Sequence, residues 1–166
     1  MVHLNYSIFI ISVFIISMAY LFTEKLSIKI FKMGQSKVVY ENATEALKNV
    51  STWTTWLTGL QTAAIASMAL LTKDKIIPLT EVQKNYGFFT LLFFGASIIL
   101  STWLLSAIPS IQQRLINSTT PEKENDIYRM KIFSFIPFSL GRFSGLVHTY
   151  FLIGIIAFAL FIFSLF

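Results

Sequence analysis

The chain has 166 residues, of which 55% are hydrophobic, 16% aromatic and only 13% charged, against about 25% charged in an ordinary soluble domain. It carries 17 Phe, more than a water-soluble core of this size can bury, and no Cys, which excludes disulfides, thiolate metal sites and cysteine nucleophiles. The net charge of +5 reads as basic loops meeting anionic lipid headgroups on the cytoplasmic side of a membrane, which makes nucleic acid an unneeded partner.

Stretches 1–23, 49–72, 85–113 and 143–166 contain no Asp, Glu, Lys or Arg, and each suffices as a helix to cross a hydrocarbon core of ~30 Å. They predict an all-α polytopic membrane protein, one four-helix transmembrane domain over 1–166. The expected spans are about 4–22, 53–72, 86–108 and 143–166, with helical extensions in cytoplasmic loops 23–52 and 112–142. Those two loops hold ten of the 13 Lys and Arg, the middle loop holds three and the tails none. That asymmetry places both termini outside, in the cell inner (plasma) membrane. The N-terminal apolar run has no Lys or Arg before it and no small-residue cleavage site before Thr23-Glu24-Lys25, so it reads as a retained span and not a signal peptide.

The first helix is expected to outlast the membrane, with Lys25, Lys29 and Lys32 on one face and Gly34 as its stop. These lysines, with Arg129, Lys131 and Arg142, are the headgroup-binding candidates. The second helix carries a narrow apolar seam at Val39, Ala43, Ala46, Val50, Trp53 and Leu57. That seam must pack on the Lys25–Met33 extension or on a neighbouring subunit, while Trp53 and Trp56 mark the interface. Within the span, Thr55, Thr58, Thr62, Ala66 and Ala69 share one face, and Gly59, Ala63 and Ser67 form a small-xxx-small run beside it. Gln61 projects from another side and needs a partner, because an unpaired amide in hydrocarbon costs several kcal/mol.

In the third span Thr90, Ser97 and Ser101 share a face, and Gly95, Thr102 and Ser106 share another. Pro109 predicts a kink at the cytoplasmic end. Residues 117–126 form the one polar linker, and 127–142 mix aromatic and cationic residues in the manner of a segment lying in the interface. The fourth span is almost wholly aliphatic and aromatic, which predicts the most lipid-exposed helix. The glycosylation triplets at Asn42, Asn49 and Asn117 face the cytoplasm on this topology and are read as chance.

No hydrolase, metalloprotease, phosphate-loop or redox motif is present, so no catalytic residue, cofactor or metal ligand is expected and the chain reads as a non-enzyme. His3 and His148 fall on opposite membrane faces. The spacing of Arg142 and His148 resembles the R-x(4–6)-H pair of HEPN-type ribonucleases, whose His acts on an RNA 2′-hydroxyl. Here both residues open a span, so Arg142 reads as a membrane boundary and His148 as an interhelical hydrogen-bond partner. The spans hold no charged side chain, which argues against a proton relay, antiporter or voltage sensor.

The helix running into Trp53-Thr-Thr-Trp56, the Ala107-Ile-Pro-Ser-Ile-Gln-Gln-Arg114 exit and the Pro137…Arg142…His148 approach give a layout similar to small multi-helix membrane proteins of prokaryotic anti-phage and CRISPR-associated defence operons. The resemblance implies an antiviral effector or sensor that perturbs the inner membrane, often as a homo-oligomer. The leading expectation is a self-assembling, pore-forming or membrane-perturbing protein. Its pore or helix-interface candidates are Thr55, Thr58, Gly59, Gln61, Thr62, Thr90, Ser97 and Ser101. The alternative is a membrane anchor or sensor that recruits a cytosolic protein partner through its basic loops.

Overall fold

The computed structural model describes residues 6–22, 43–73, 78–116, 130–132 and 138–166. Four helices account for nearly all of them: α1 (Tyr6–Phe22), α2 (Ala43–Lys73), α3 (Glu81–Ile116) and α4 (Leu140–Phe163). Among the described residues there is no strand, only an antiparallel bridge between Lys131 and Ser139. The fold is all-α, as the charge-free runs predict. Among the described residues two helices rather than four, α3 and α4, are long and apolar enough to cross a membrane. α1 is apolar, and its 17 described residues are at the lower limit for a span. α2 has 31 residues, yet Thr54, Thr55, Thr58, Gln61 and Thr62 dilute the apolar character of its middle.

Helix boundaries depart from expectation for local reasons. α3 starts at Glu81 because Thr80 and Gln83 form a reciprocal cap, with Thr80 N–H donating to Gln83 Oε1 at 2.9 Å and Gln83 N–H to Thr80 Oγ1 at 3.3 Å. At its other end α3 continues through Pro109 to Ile116 instead of stopping near 108. A proline inside a helix costs about 3 kcal/mol. Burial of Ile108 and Ile111 on either side offsets that loss. α4 begins at Leu140, where the Ser139 hydroxyl accepts from Arg142 N–H at 3.4 Å.

The helices alternate in direction. Gln61 meets Ser97 and Met68 meets Gly87, so α2 and α3 are antiparallel. Trp103 meets Phe143 and Gln83 donates to Ser164 O, so α3 and α4 are antiparallel. Leu21 meets Arg142 and Ser17 meets Tyr150, so α1 and α4 are antiparallel. Tyr6, Lys73, Glu81 and Phe163 therefore end on one face of the bundle, and Phe22, Ala43, Ile116 and Leu140 on the other. The apolar core concentrates at the second face, around Leu47, Leu57, Leu104, Ile111, Leu140 and Val147. Part of the α2 seam packs there, with Ala46 and Leu57 buried and Val50 against them, while Trp53 of the same seam is 49% exposed. Val39 and the Lys25–Met33 extension lie outside the described residues.

The expectation that the fourth span is the most lipid-exposed is overturned. α4 is the central helix, packing most extensively on α3 and touching α1 and α2. Small residues make this possible: Gly141, Ser144, Gly154 and Ala157 are all buried in it. The most exposed apolar surface is on α1, where Ile8, Ile11, Phe14, Ile15 and Ile16 are each more than half exposed.

At the α3–α4 contact a β-carbon on Gly154 would stand 2.4 Å from the buried Phe94 ring, whereas Gly59 and Gly95 face open space. Gly154→Ala is expected to lower stability by about 1–3 kcal/mol through overpacking. Gly59→Ala and Gly95→Ala should be neutral or stabilising by up to about 1 kcal/mol. Thermal unfolding of the detergent-solubilised protein checks the contrast, and equal melting for all three would refute the close approach.

Candidate functional site

The eight pore or interface candidates divide into two groups. Gln61, Thr90, Ser97 and Ser101 are fully buried between helices, so in this conformation they line no channel and serve intramolecular packing. Thr55, Gly59 and Thr62 are exposed and Thr58 is half-buried, all on the outward face of α2.

The buried group centres on Ser97. Its hydroxyl donates to Val147 O at 3.0 Å and accepts from Gln61 Nε2 at 2.6 Å, so one oxygen joins α2, α3 and α4. Thr90 donates inside its own helix to Tyr86 O at 2.8 Å. Gln61 Oε1 and Ser101 Oγ are buried with no protein partner. An unsatisfied buried acceptor of this kind costs about 1–3 kcal/mol, so the seam is polar enough to set register without being fully paired.

On the outward face the hydroxyls of Thr55, Thr58, Thr62 and Ser67 are satisfied within their own helix. Thr55 donates to Ser51 O, Thr58 to Thr54 O and Thr62 to Thr58 O, each at 2.9 Å, and Ser67 donates to Ala63 O at 2.8 Å. With donors consumed by i−4 carbonyls, the face carries little desolvation penalty in lipid or against another helix. Around Gly59 and Ala63 it is shallow, since nothing approaches within 4 Å of where a Gly59 β-carbon would stand.

His148 makes the interhelical bond that its position suggests, and its partner is Trp53. The indole Nε1–H donates to His148 Nε2 at 2.6 Å, while His148 Nδ1 lies 2.7 Å from Ser144 O. That pair of contacts requires a neutral ring with the proton on Nδ1. Trp53 also stacks on Trp56, with centroids 5.0 Å apart and planes at 14°. Arg142 turns the other way: it is 8% exposed and its Nη1 donates to Leu21 O at 2.8 Å, so Arg142 and His148 engage different helices.

Of the headgroup candidates, Lys25, Lys29, Lys32 and Arg129 lie outside the described residues, and Lys131 is exposed. Arg142 is corrected from a headgroup ligand to a buried cation whose guanidinium donates to a backbone carbonyl in the last described turn of α1. Arg114 plays a similar role that sequence reasoning missed. Its Nη2 donates to Lys131 O at 2.7 Å and Ile132 O at 2.9 Å, and Ile132 is buried in the core. Part of the expected interfacial segment is thus held to the end of α3. No group of three or more metal-ligating side chains occurs among the described residues.

The Ser97 junction predicts an asymmetry between its two partners. Ser97→Ala strands the Gln61 amide and should cost about 1–3 kcal/mol. Gln61→Met removes the amide with its orphan oxygen and leaves the Ser97–Val147 bond, so it should cost less or stabilise. Unfolding of both variants in detergent checks this, and a larger loss for Gln61→Met would overturn the assignment. No known protein family model matches the chain, and no curated protein or solved structure is similar to it.

Proposed function

We propose that the chain is a non-enzymatic, four-pass inner-membrane protein that self-assembles through the outward face of α2 and perturbs the membrane as an effector of prokaryotic defence. One observation carries the reading: α2 turns its small residues, Gly59, Ala63 and Ala66, away from its own bundle. Small side chains lose little by leaving lipid and gain close backbone contact when two helices meet. The four-pass part is supported by the alternation of helix directions, with α1 and α2 crossing beside α3 and α4. The basic loops then share the cytoplasmic side and both termini lie outside. Lining of an assembly axis falls to Thr55, Thr58, Gly59 and Thr62, because the other four candidates are occupied inside the bundle. The defence role rests on the resemblance of layout alone.

The absence of Cys makes single-cysteine variants clean reporters. In native membranes Ala63→Cys should form an oxidant-dependent dimer, whereas Ile99→Cys, 68% exposed on α3, should not. Equal cross-linking at both positions would defeat assembly through α2. In vesicles, Thr62→Leu should cut ion flux roughly tenfold at unchanged insertion. Well-inserted wild-type protein with no flux would remove the pore and leave the assembly. Leu165→Cys should react with an impermeant thiol reagent added from outside, and protection there would reverse the topology.

A further inference from the structure

α1 stands off the α3–α4 pair and leaves a groove of about 590 Å³ between the three helices. Phe9, Val13 and Ile16 form one wall, Phe89 and Phe93 the floor, and Ile153 the other wall. Three contacts join α1 to its neighbours along the slot. At one end the Phe9 ring lies edge-on against Phe89, with centroids 5.0 Å apart. At the other end Arg142 Nη1 holds Leu21 O at 2.8 Å, and between the two the Tyr150 hydroxyl meets Ser17.

The contents of this slot are constrained by its chemistry. Ser17 donates to Val13 O at 2.7 Å, so it accepts from Tyr150, and both hydroxyls find partners in the wall itself. Water needs two to four polar partners, and an apolar cavity stays dry. A void of this size left empty would forfeit the packing of every side chain around it. A flexible, unbranched hydrocarbon suits a slot lined almost wholly by apolar side chains.

We propose that this groove is a binding site for one acyl chain of a membrane phospholipid. On the reading proposed above, α1, α3 and α4 stand in bilayer, so the groove opens onto acyl chains at their own depth. The chain enters beside Leu160 or Tyr20 and lies along α4 from Leu146 to Leu160, about 21 Å of helix axis and longer than one leaflet's ~15 Å share of the hydrocarbon core. It bridges α1 to the rest of the bundle, where direct contact is sparse. Removing it should loosen α1 before the other helices.

The test takes full-length protein from vesicles of phosphatidylethanolamine and phosphatidylglycerol into mild detergent, then through gel filtration. Phospholipid per chain is counted by mass spectrometry. Wild type should retain about one lipid per chain, and Val13→Trp and Ile153→Trp, which fill the slot from opposite walls, should each retain roughly tenfold less. Ile99→Trp, equally bulky on a face outside the groove, should retain the wild-type amount. Equal retention in the groove and control variants, or none in wild type, overturns the site. Carbonate extraction of the starting membranes separates the two readings. Protein that resists carbonate yet holds no lipid loses the site and keeps the membrane assignment, whereas protein released by carbonate loses both.

Discussion

With no β-carbon at position 154, the Phe94 ring lies against the backbone of α4 where any larger residue would collide with it. This close approach brings Ser97 within reach of a carbonyl, Val147 O, inside a neighbouring helix. Once Ser97 is fixed, the Gln61 amide has one place to go, and that choice sets the register of α2. A slip of α2 by one turn would move Gln61 away from Ser97 and bury an amide with neither end paired. The penalty for that exceeds the penalty for the single orphan oxygen that the native arrangement tolerates. Register here is held by avoiding a worse state more than by a strong bond.

Much of the interior was legible in the helical period. Thr90, Ser97 and Ser101 share a face by spacing alone, and that face is fully buried. The need of Gln61 for a partner was equally readable, because its chemistry sets the demand wherever the residue lies. Identity of the partner was not, since it depends on how α2 and α3 slide past one another. The central place of α4 was hidden for a different reason. Apolar residues surround that helix on every side, so hydrophobicity does not reveal which face is inward, and only its scattered small residues mark the contact.

The two arginines show a further limit. Arg142 reads from sequence as a cation at a membrane boundary, yet both it and Arg114 spend guanidinium donors on backbone carbonyls of other segments. A guanidinium offers several donors in a rigid fork and suits carbonyls left bare at helix and chain ends. Nothing in the local sequence distinguishes that use from a headgroup contact, because the acceptors lie at Leu21, Lys131 and Ile132. Both arginines sit at the face where the apolar core is concentrated. There α2 and α3 pack with the start of α4, while the opposite end leaves bulky apolar side chains such as Leu70 and Phe163 exposed.

The outward face of α2 carries an electrostatic consequence of its own. A threonine hydroxyl has one donor and two acceptor lone pairs. In Thr55, Thr58 and Thr62 the donor is already used on the i−4 carbonyl. What remains to the outside is acceptor capacity only, which lipid tolerates and which water or a cation can use. Around an assembly axis such a surface would coordinate cations and water weakly and offer an anion no hydrogen bond. Charge selection would then come from the direction of the hydroxyl dipoles, since the charge-free run 49–72 contributes no ionised side chain to that stretch of α2.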